Sequence, residues 1–299
     1  MTAGEGPSLR ELVEEELGAP VDPRVSAVAA AIAAKHEAAS RAVLFYGSCL
    51  RERELDGRML DFYLIVSDYR AAYRKQWLAH ANRLIPPNVF YLEHDGLDAK
   101  YAVLSEADFA HECSAKAWTI STAARFAQPS RLVWCVDPAA AKRTIEIVSN
   151  AAPTLIAWAL PLCDGLDLVA LWKRAFQLTF AAELRAERVG RSAAIVDSDP
   201  RRYRRFGEAA LKVVVVAPTQ RSRAESRRWW RRKQRKGKLY SIARLAKASL
   251  TFAGGAEYIA GKINRHAGAD VRLKPWQRRH PLLAAIMLLP RLLRSGAIR

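Results

Sequence analysis

A glycine and a serine follow one apolar run of the sequence, and an acidic residue stands inside the next. Gly47 and Ser48 come directly after LFY, and Asp61 lies within MLDFYLIV. Glycine lets a phosphate approach the backbone closely, and a serine hydroxyl with neighbouring N–H groups can hold phosphate oxygens. A carboxylate on the adjacent strand can bind Mg²⁺, which offsets phosphate charge and orients an attacking oxygen. The three residues together predict a Mg²⁺-dependent phosphate site.

This arrangement of strand, glycine–serine loop and acid-bearing strand resembles the nucleotidyltransferase superfamily. Its members usually carry two acids in alternation on the second strand, where both side chains point to one face of the sheet. Here the positions two residues from Asp61 hold Met59 and Tyr63. A second metal ligand must therefore come from Glu183, on a later predicted helix, or from Asp56 in the loop. The alternative role of Asp61 is a structural ion pair with an arginine.

Further blocks of the chain resemble the mitochondrial-type phosphatidate cytidylyltransferases, the translocator assembly and maintenance family, which includes bacterial members. The family has a Tyr-Gly-Ser loop and a Leu-Asp-Phe strand with a single acid, similar to residues 46–48 and 60–62 here. Its Lys-Tyr-Gly-Val and Gly-Arg-Leu-Gln-Lys-Pro blocks resemble KYAVLS (100–105) and ARFAQP (124–129), in which alanine replaces a family glycine. Weaker similarities follow at 183–186, 194–196 and 247–254.

The resemblance implies a reaction in which CTP and phosphatidic acid give CDP-diacylglycerol and pyrophosphate, with Mg²⁺ as the cofactor. It implies catalytic roles for Asp61, Lys100 and Arg125, and metal binding by Asp61 with Glu183. The implied nucleotide-binding residues are Gly47, Ser48, Lys100, Arg125 and Arg185. Lysine would contact phosphate oxygens as a point charge and arginine as a bidentate fork. Each cation has the alternative role of an ordinary surface residue.

Charge points to an anionic partner. The formal net charge is +18, and between positions 221 and 247 twelve Lys or Arg residues stand against the single acid Glu225. Trp229 and Trp230 lie in the middle of this segment, where they could enter a lipid headgroup region or stack on nucleic-acid bases. The apolar tail at 281–293 is shorter than the ~20 residues that span a bilayer. It favours a peripheral anchor, so we expect phosphatidic acid in an anionic membrane as the partner and nucleic acid less.

The order of predicted elements indicates an α/β fold in three parts. Strand-like and helix-like runs alternate over residues 20–137 and predict a nucleotidyltransferase-like domain with a mixed sheet. Residues 138–215 predict a helical domain, and 216–299 a basic, membrane-associating helical region. The acidic N-terminus does not resemble a signal peptide, and the four scattered cysteines indicate reduced core residues. We therefore expect a peripheral protein on the cytoplasmic face of the inner membrane.

Two rival functions stay open at this point. One is a nucleotidyltransferase that acts on RNA or on a small acceptor, and the other is an inactive nucleic-acid-binding protein. The missing second strand carboxylate favours the lipid family over polymerising enzymes, and it also leaves room for inactivity.

Overall fold

The computed structural model describes residues 6–165, 167–182, 191–214 and 219–251. Two residues of the predicted site, Glu183 and Arg185, lie outside this part of the chain. The apolar tail at 281–293 also lies outside it.

A mixed five-stranded sheet forms the centre of the fold and confirms the predicted α/β class. Its strands are β1 (Ser40–Tyr46), β2 (Met59–Val66), β3 (Asn88–His94), β4 (Leu97–Ser105) and β5 (Ser130–Cys135). Their order in space is β3-β4-β2-β1-β5. Only the β2 and β4 pair is parallel within this sheet, and the other neighbours are antiparallel. Each strand falls on an apolar run that predicts it.

Thirteen α-helices lie in the described ranges. They are α1 (Leu9–Gly18), α2 (Pro23–Ala34), α3 (Ser48–Glu52), α4 (Tyr69–Ala72), α5 (Gln76–Leu84), α6 (Glu106–Glu112), α7 (Ser121–Phe126), α8 (Pro138–Ser149), α9 (Ala151–Ala159), α10 (Leu168–Phe180), α11 (Arg191–Asp197), α12 (Pro200–Lys212) and α13 (Arg223–Thr251). Residues 69–84 form two helices, α4 and α5, and not one continuous helix. Tyr73 adopts an extended backbone between α4 and α5 because its ring is buried against His36 and Phe90.

Alternation along the strands gives the sheet two different faces. One face, with Phe45, Phe62 and Leu64, is buried against α2. The opposite face, with Leu44 and Tyr63, is buried under the helices that precede and follow the sheet. Since side chains two apart on a strand share a face, Asp61 lies on the same face as Leu44 and Tyr63, opposite the face that α2 covers.

The N-terminal acidic segment is a core helix and not a polar extension of the domain. Ser8 and Glu11 form a reciprocal capping box at the start of α1. Leu12, Val13 and Leu17 lie on one side of the helix and are buried. Helix α1 precedes the predicted boundary at residue 20 and packs on β5. A Ser-x-x-Glu pattern before an apolar stripe was the available signal.

The core on the Leu44 and Tyr63 face of the sheet includes residues beyond position 137. All of α9 is buried, and it packs against α7, α10 and α12. Residues 138–162 are long and apolar enough to cross a membrane, but 67% of their most apolar window is buried inside the protein. This burial is what a core helix requires. The division into three parts stays a prediction of the sequence.

Helix α13 is anchored to the core by its tryptophans. Trp230 is 2% exposed, and its Nε1 donates to the Trp158 carbonyl over 2.9 Å. The Trp229 ring lies 5.3 Å from the Trp158 ring, and Arg221 lies over its face. Burial in the helical layer removes Trp230 from the predicted lipid- or base-contacting pair, whereas Trp229 is only partly buried and its predicted contact stays a prediction.

The C-terminal part of α13 is hydrogen-bonded to the segment between α5 and β3. Lys247 Nζ donates to the Pro87 carbonyl over 2.8 Å and also to the Ile85 carbonyl. Arg244 Nε donates to the Pro86 carbonyl over 2.7 Å. Burial lowers the pKa of Lys247 to about 7. The basic helix is thus fixed at both ends to the rest of the protein.

A buried ion pair ties α1 to α12 and generates a stability prediction. Arg202 is 7% exposed and binds both carboxylate oxygens of Glu16, one of them over 2.8 Å. Removing one partner of a buried pair leaves an uncompensated charge and costs about 3–5 kcal/mol. We expect Glu16→Ala to lower the free energy of unfolding by about 3 kcal/mol, measured by urea denaturation followed by circular dichroism.

The neighbouring residue supplies the matched control. Glu15 pairs with Arg205, and both side chains are more than half exposed. An exposed pair contributes about 0–1 kcal/mol, so Glu15→Ala should leave the unfolding midpoint nearly unchanged. Equal losses for the two variants would contradict the structural role of the Glu16 pair.

Candidate active site

The predicted loop and the predicted acid are in contact. Strands β1 and β2 pair Tyr46 with Asp61, which brings the residue after Tyr46 over the carboxylate. Gly47 has a φ of +98°, a value that favours glycine. A Cβ placed on Gly47 would lie only 2.9 Å from Asp61 Oδ2. Glycine is required here both for its backbone conformation and for the close approach of the carboxylate.

Asp61 also has a cationic partner on the next strand. Parallel pairing of β2 with β4 places Lys100 beside Asp61, and Lys100 Nζ lies 2.9 Å from Asp61 Oδ1. The Asp61 side chain is 18% exposed and that of Lys100 is 45% exposed. The alternative considered from the sequence was an ion pair with an arginine, and the partner is a lysine instead. Two predicted site residues therefore meet at one accessible point.

The residues after Gly47 fasten the loop to β2. Ser48 is the first residue of α3, and Cys49 follows as a buried residue whose Sγ donates to the Met59 carbonyl over 3.4 Å. Burial raises the pKa of the Cys49 thiol, and the nearby Asp61 carboxylate raises it further. A protonated, buried thiol is a packing group and not a nucleophile.

Arg125 lies on a helix that covers the same face as Asp61. Its neighbour Phe126 packs with its ring 6.1 Å from that of Tyr46 and 5.2 Å from that of Tyr63. Just beyond, Gln128 Oε1 accepts a hydrogen bond from Arg51 on α3 over 3.4 Å. The ARFAQP block therefore stands against the loop that follows Gly47.

The donor set suits a metal ion shared with a substrate. No group of three or more His, Cys, Asp or Glu that could hold a metal occurs among the described residues. Asp56 does not complete the set, because it is 82% exposed and pairs with Arg24 over 2.9 Å. Mg²⁺ in phosphoryl-transfer sites accepts one or two carboxylates together with substrate phosphates. Asp61 could be the one protein carboxylate on such an ion, and most of the other ligands would come from the substrate phosphates.

Sequence reasoning missed several arginines near this loop. Arg51 and Arg53 follow the glycine–serine pair on α3 and its C-cap, and Arg131 stands on β5 opposite Phe45. Burial lowers the pKa of Arg131; Glu16 opposes this shift, and Arg202 and Arg53 add to it. The available signal was the position of two arginines directly after a glycine–serine loop.

Comparison with known proteins gives little. No protein-family model matches the chain, and no curated protein matches it. Among solved structures, it is similar to a nucleotidyltransferase-like protein from Exiguobacterium sibiricum 255-15, with 11% sequence identity and a TM-score of 0.28. The likeness covers 92% of this chain and 93% of that one. Because the TM-score is so low, we infer the function from the residues of the site.

Two glycines with positive φ allow a matched test of the Gly47 contact. Around Gly57, at φ +67°, a Cβ would meet nothing within 4 Å, whereas at Gly47 it would meet Asp61. We expect Gly57→Ala to cost about 1 kcal/mol of backbone strain. Gly47→Ala should cost about 3 kcal/mol, because the carboxylate must also move away from Lys100. Urea denaturation of both variants measures the loss in free energy of unfolding. Similar losses would show that the Gly47 approach to Asp61 does not constrain residue 47.

Proposed function

We propose that this chain is a Mg²⁺-dependent nucleotidyltransferase, and specifically a phosphatidate cytidylyltransferase that makes CDP-diacylglycerol from CTP and phosphatidic acid. The observation that carries the proposal is the contact of the Gly47 backbone with Asp61, whose other oxygen is held by Lys100. A glycine, a carboxylate and an ammonium group at one accessible point suit a phosphate chain better than a neutral substrate.

The proposed reaction exchanges one phosphorus–oxygen bond for another. A phosphate oxygen of phosphatidic acid forms a bond to the α-phosphorus of CTP. The bond from that phosphorus to the oxygen bridging to the β-phosphate breaks, and pyrophosphate leaves with that oxygen. The attacking oxygen is already anionic, so the chain needs no general base. Its task is to hold two anionic groups together and to stabilise the charge that develops on the leaving group.

Each residue of the site has a role in that task. The absence of a side chain at Gly47 admits the triphosphate to the backbone, and the Ser48 hydroxyl can donate to one of its oxygens. Lys100, 45% exposed, can contact phosphate while it keeps Asp61 in place. Arg125 stands on the helix opposite the loop and would bind phosphate as a fork. Mg²⁺ bound by Asp61 and the substrate phosphates would offset their negative charge.

The exposed face of α13 supports a lipid acceptor. Eight cations of this helix are exposed. Arg223 pairs with Asp164, and the other seven form a stripe: Arg227, Arg228, Arg231, Arg232, Arg235, Lys236 and Lys238. The stripe ends at Leu239 and Ile242, which are 67% and 55% exposed. The buried tryptophans hold the opposite side of the helix against the core. A fixed basic face with apolar residues at one end suits an anionic bilayer surface, in keeping with a peripheral position on the cytoplasmic face of the inner membrane.

The same face suits nucleic acid less well. Sequence-tolerant binding of single strands uses aromatic rings on which bases stack. In α13, Trp230 is 2% exposed, and Trp229 is partly buried against the core. The cations of α13 can contact the phosphate backbone of a nucleic acid, but Trp230 cannot stack on its bases.

Activity is tested with each of the four labelled nucleoside triphosphates, Mg²⁺ and vesicles that contain phosphatidic acid. We expect a labelled lipid product, CDP-diacylglycerol, with CTP and none with the other three nucleotides. Asp61→Asn should lower turnover on the order of 100-fold, because an amide cannot replace the anionic carboxylate. Asp56→Asn, on the exposed loop, is the matched control and should retain activity. Product from RNA or a small alcohol in place of lipid would replace the proposed acceptor, and nucleic-acid binding without turnover would replace the enzyme.

Membrane binding is tested by co-sedimentation with anionic vesicles. Combining Arg228→Gln, Arg231→Gln and Arg235→Gln should weaken binding by about 3 kcal/mol, on the order of 100-fold. Lys233 is left unchanged because it is half-buried and donates to the Trp118 carbonyl over 3.2 Å. Binding should also weaken as salt rises, since the Debye length falls from about 10 Å at 0.1 M to about 3 Å at 1 M.

The matched control removes three exposed cations from the α4 region. Arg70, Arg74 and Lys75 are all exposed and lie off α13. Their replacement by glutamine changes net charge equally and should leave vesicle binding nearly unchanged. If the two triple variants lose the same affinity, binding follows net charge and α13 is not the docking face. If vesicles fail to displace a bound oligonucleotide at low salt, the lipid partner is wrong.

A further inference from the structure

A group of arginines surrounds the chain between α7 and β5. Arg202 Nη1 donates to the Ala127 carbonyl over 3.1 Å, and Arg51 donates to Gln128 from the opposite side. Arg131 follows on β5, and its Nη1 donates to the Ser130 carbonyl over 2.9 Å. Its Nε is buried and has no hydrogen-bond partner within the described residues.

The acid near these arginines is already engaged. The charged groups that act on Arg131 are Glu16, Arg202 and Arg53, and Arg202 binds both oxygens of Glu16. Burial, Arg202 and Arg53 lower the pKa of Arg131 and Glu16 raises it, so positive charge exceeds negative charge around this guanidinium. A half-buried guanidinium with an unsatisfied N–H is costly unless an anion or a hydrogen bond completes it.

Two further polar atoms in this neighbourhood are buried without partners. They are Ser130 Oγ, next to Arg131, and Tyr203 Oη, on the residue that follows Arg202. Ser130 is fully buried and pairs with Tyr46, the residue before Gly47. Unsatisfied donors at the base of an arginine group are typical of a place prepared for an anionic ligand.

The position of the group in the sheet relates it to the candidate active site. Strand β5 lies beside β1 on the side away from β2 and β4, which carry Asp61 and Lys100. Gly47 follows β1 directly, so it lies between the Asp61–Lys100 pair and the arginines. Arg131 pairs with Phe45, whose side chain lies on the sheet face opposite Asp61, so a phosphate chain with its reacting phosphorus at Asp61 would reach Arg131 only by passing Gly47 at the end of the sheet.

We propose that Arg51, Arg53 and Arg131 form a subsite for the β- and γ-phosphates of the nucleotide, the part that leaves as pyrophosphate. The choice of these phosphates rests on the proposed function, while binding of a phosphate-rich anion follows from the arginines themselves. Three guanidinium groups offer bidentate donors that match phosphate oxygens and remain charged at any working pH. They stabilise the charge that accumulates on the leaving group.

Direct binding to the full chain tests the subsite without turnover. Isothermal titration with sodium pyrophosphate compares the wild type with Arg131→Gln, Arg131→Lys and the surface control Arg205→Gln. We expect Arg131→Gln to weaken pyrophosphate binding about tenfold, and Arg131→Lys by less, because lysine keeps the charge and loses the fork. Arg205→Gln changes net charge equally at an exposed position and should bind as the wild type does.

Arg53→Gln and a CMP titration complete the design. Arg53 is exposed, so its substitution tests the subsite even where Arg131→Gln lowers the yield of folded protein. CMP, which lacks the β- and γ-phosphates, should bind all variants alike. Unchanged pyrophosphate affinity in both Arg53→Gln and Arg131→Lys would overturn the subsite, as would an equal loss for CMP. A selective loss for glycerol 3-phosphate would also overturn it and assign the arginines to the acceptor.

These outcomes separate the subsite from the enzyme activity. Pyrophosphate binding that depends on Arg131 supports the subsite even if no nucleotide is transferred. Transfer activity with Arg131-independent pyrophosphate binding leaves the proposed function standing and removes the subsite.

Discussion

The Asp61 carboxylate is held between the backbone of Gly47 and the ammonium group of Lys100. One oxygen lies 2.9 Å from the position that a Cβ at residue 47 would occupy, and the other lies 2.9 Å from Lys100 Nζ. This geometry requires β1, β2 and β4 to be adjacent in their observed register, since one residue of slip turns every side chain to the other face. It also requires glycine at the end of β1. The apolar packing on both faces of the sheet fixes that register.

Two groups of cations within the described ranges have different surroundings. Near the loop, Arg51 and Arg131 are partly buried and Arg53 is exposed, and the acid that acts on Arg131, Glu16, is paired with Arg202. Along α13, the cations are exposed, and the helix is fixed by Trp230 at one end and by Lys247 at the other. Partly buried cations bind a specific anion strongly because water screens them little, whereas an exposed stripe acts on an extended surface and responds to salt.

Much of the sheet could be predicted from the sequence because apolar runs and the turn-forming residues between them are local signals. The run MLDFYLIV is β2 residue for residue, and the NVFYLE and KYAVLS runs lie within β3 and β4. Helix α1 was missed although its capping box is a local signal, and the break at Tyr73 had none, because it follows from packing against Phe90. Trp230 was misassigned because its basic neighbours indicate a surface, while its side chain is buried against Trp158 of a distant helix.

The sequence by itself determined the chemistry that is available: a glycine–serine loop, one strand carboxylate, an excess of cations and the α/β order of elements. Residue types and short-range spacing carry that information. Only the tertiary structure decided which groups meet. It joined Asp61 to Lys100 across parallel strands, paired Asp56 with Arg24, and bonded Arg51 to Gln128. These contacts link residues 32 to 77 positions apart, where no local pattern constrains the distance, so they follow from sheet order and core packing.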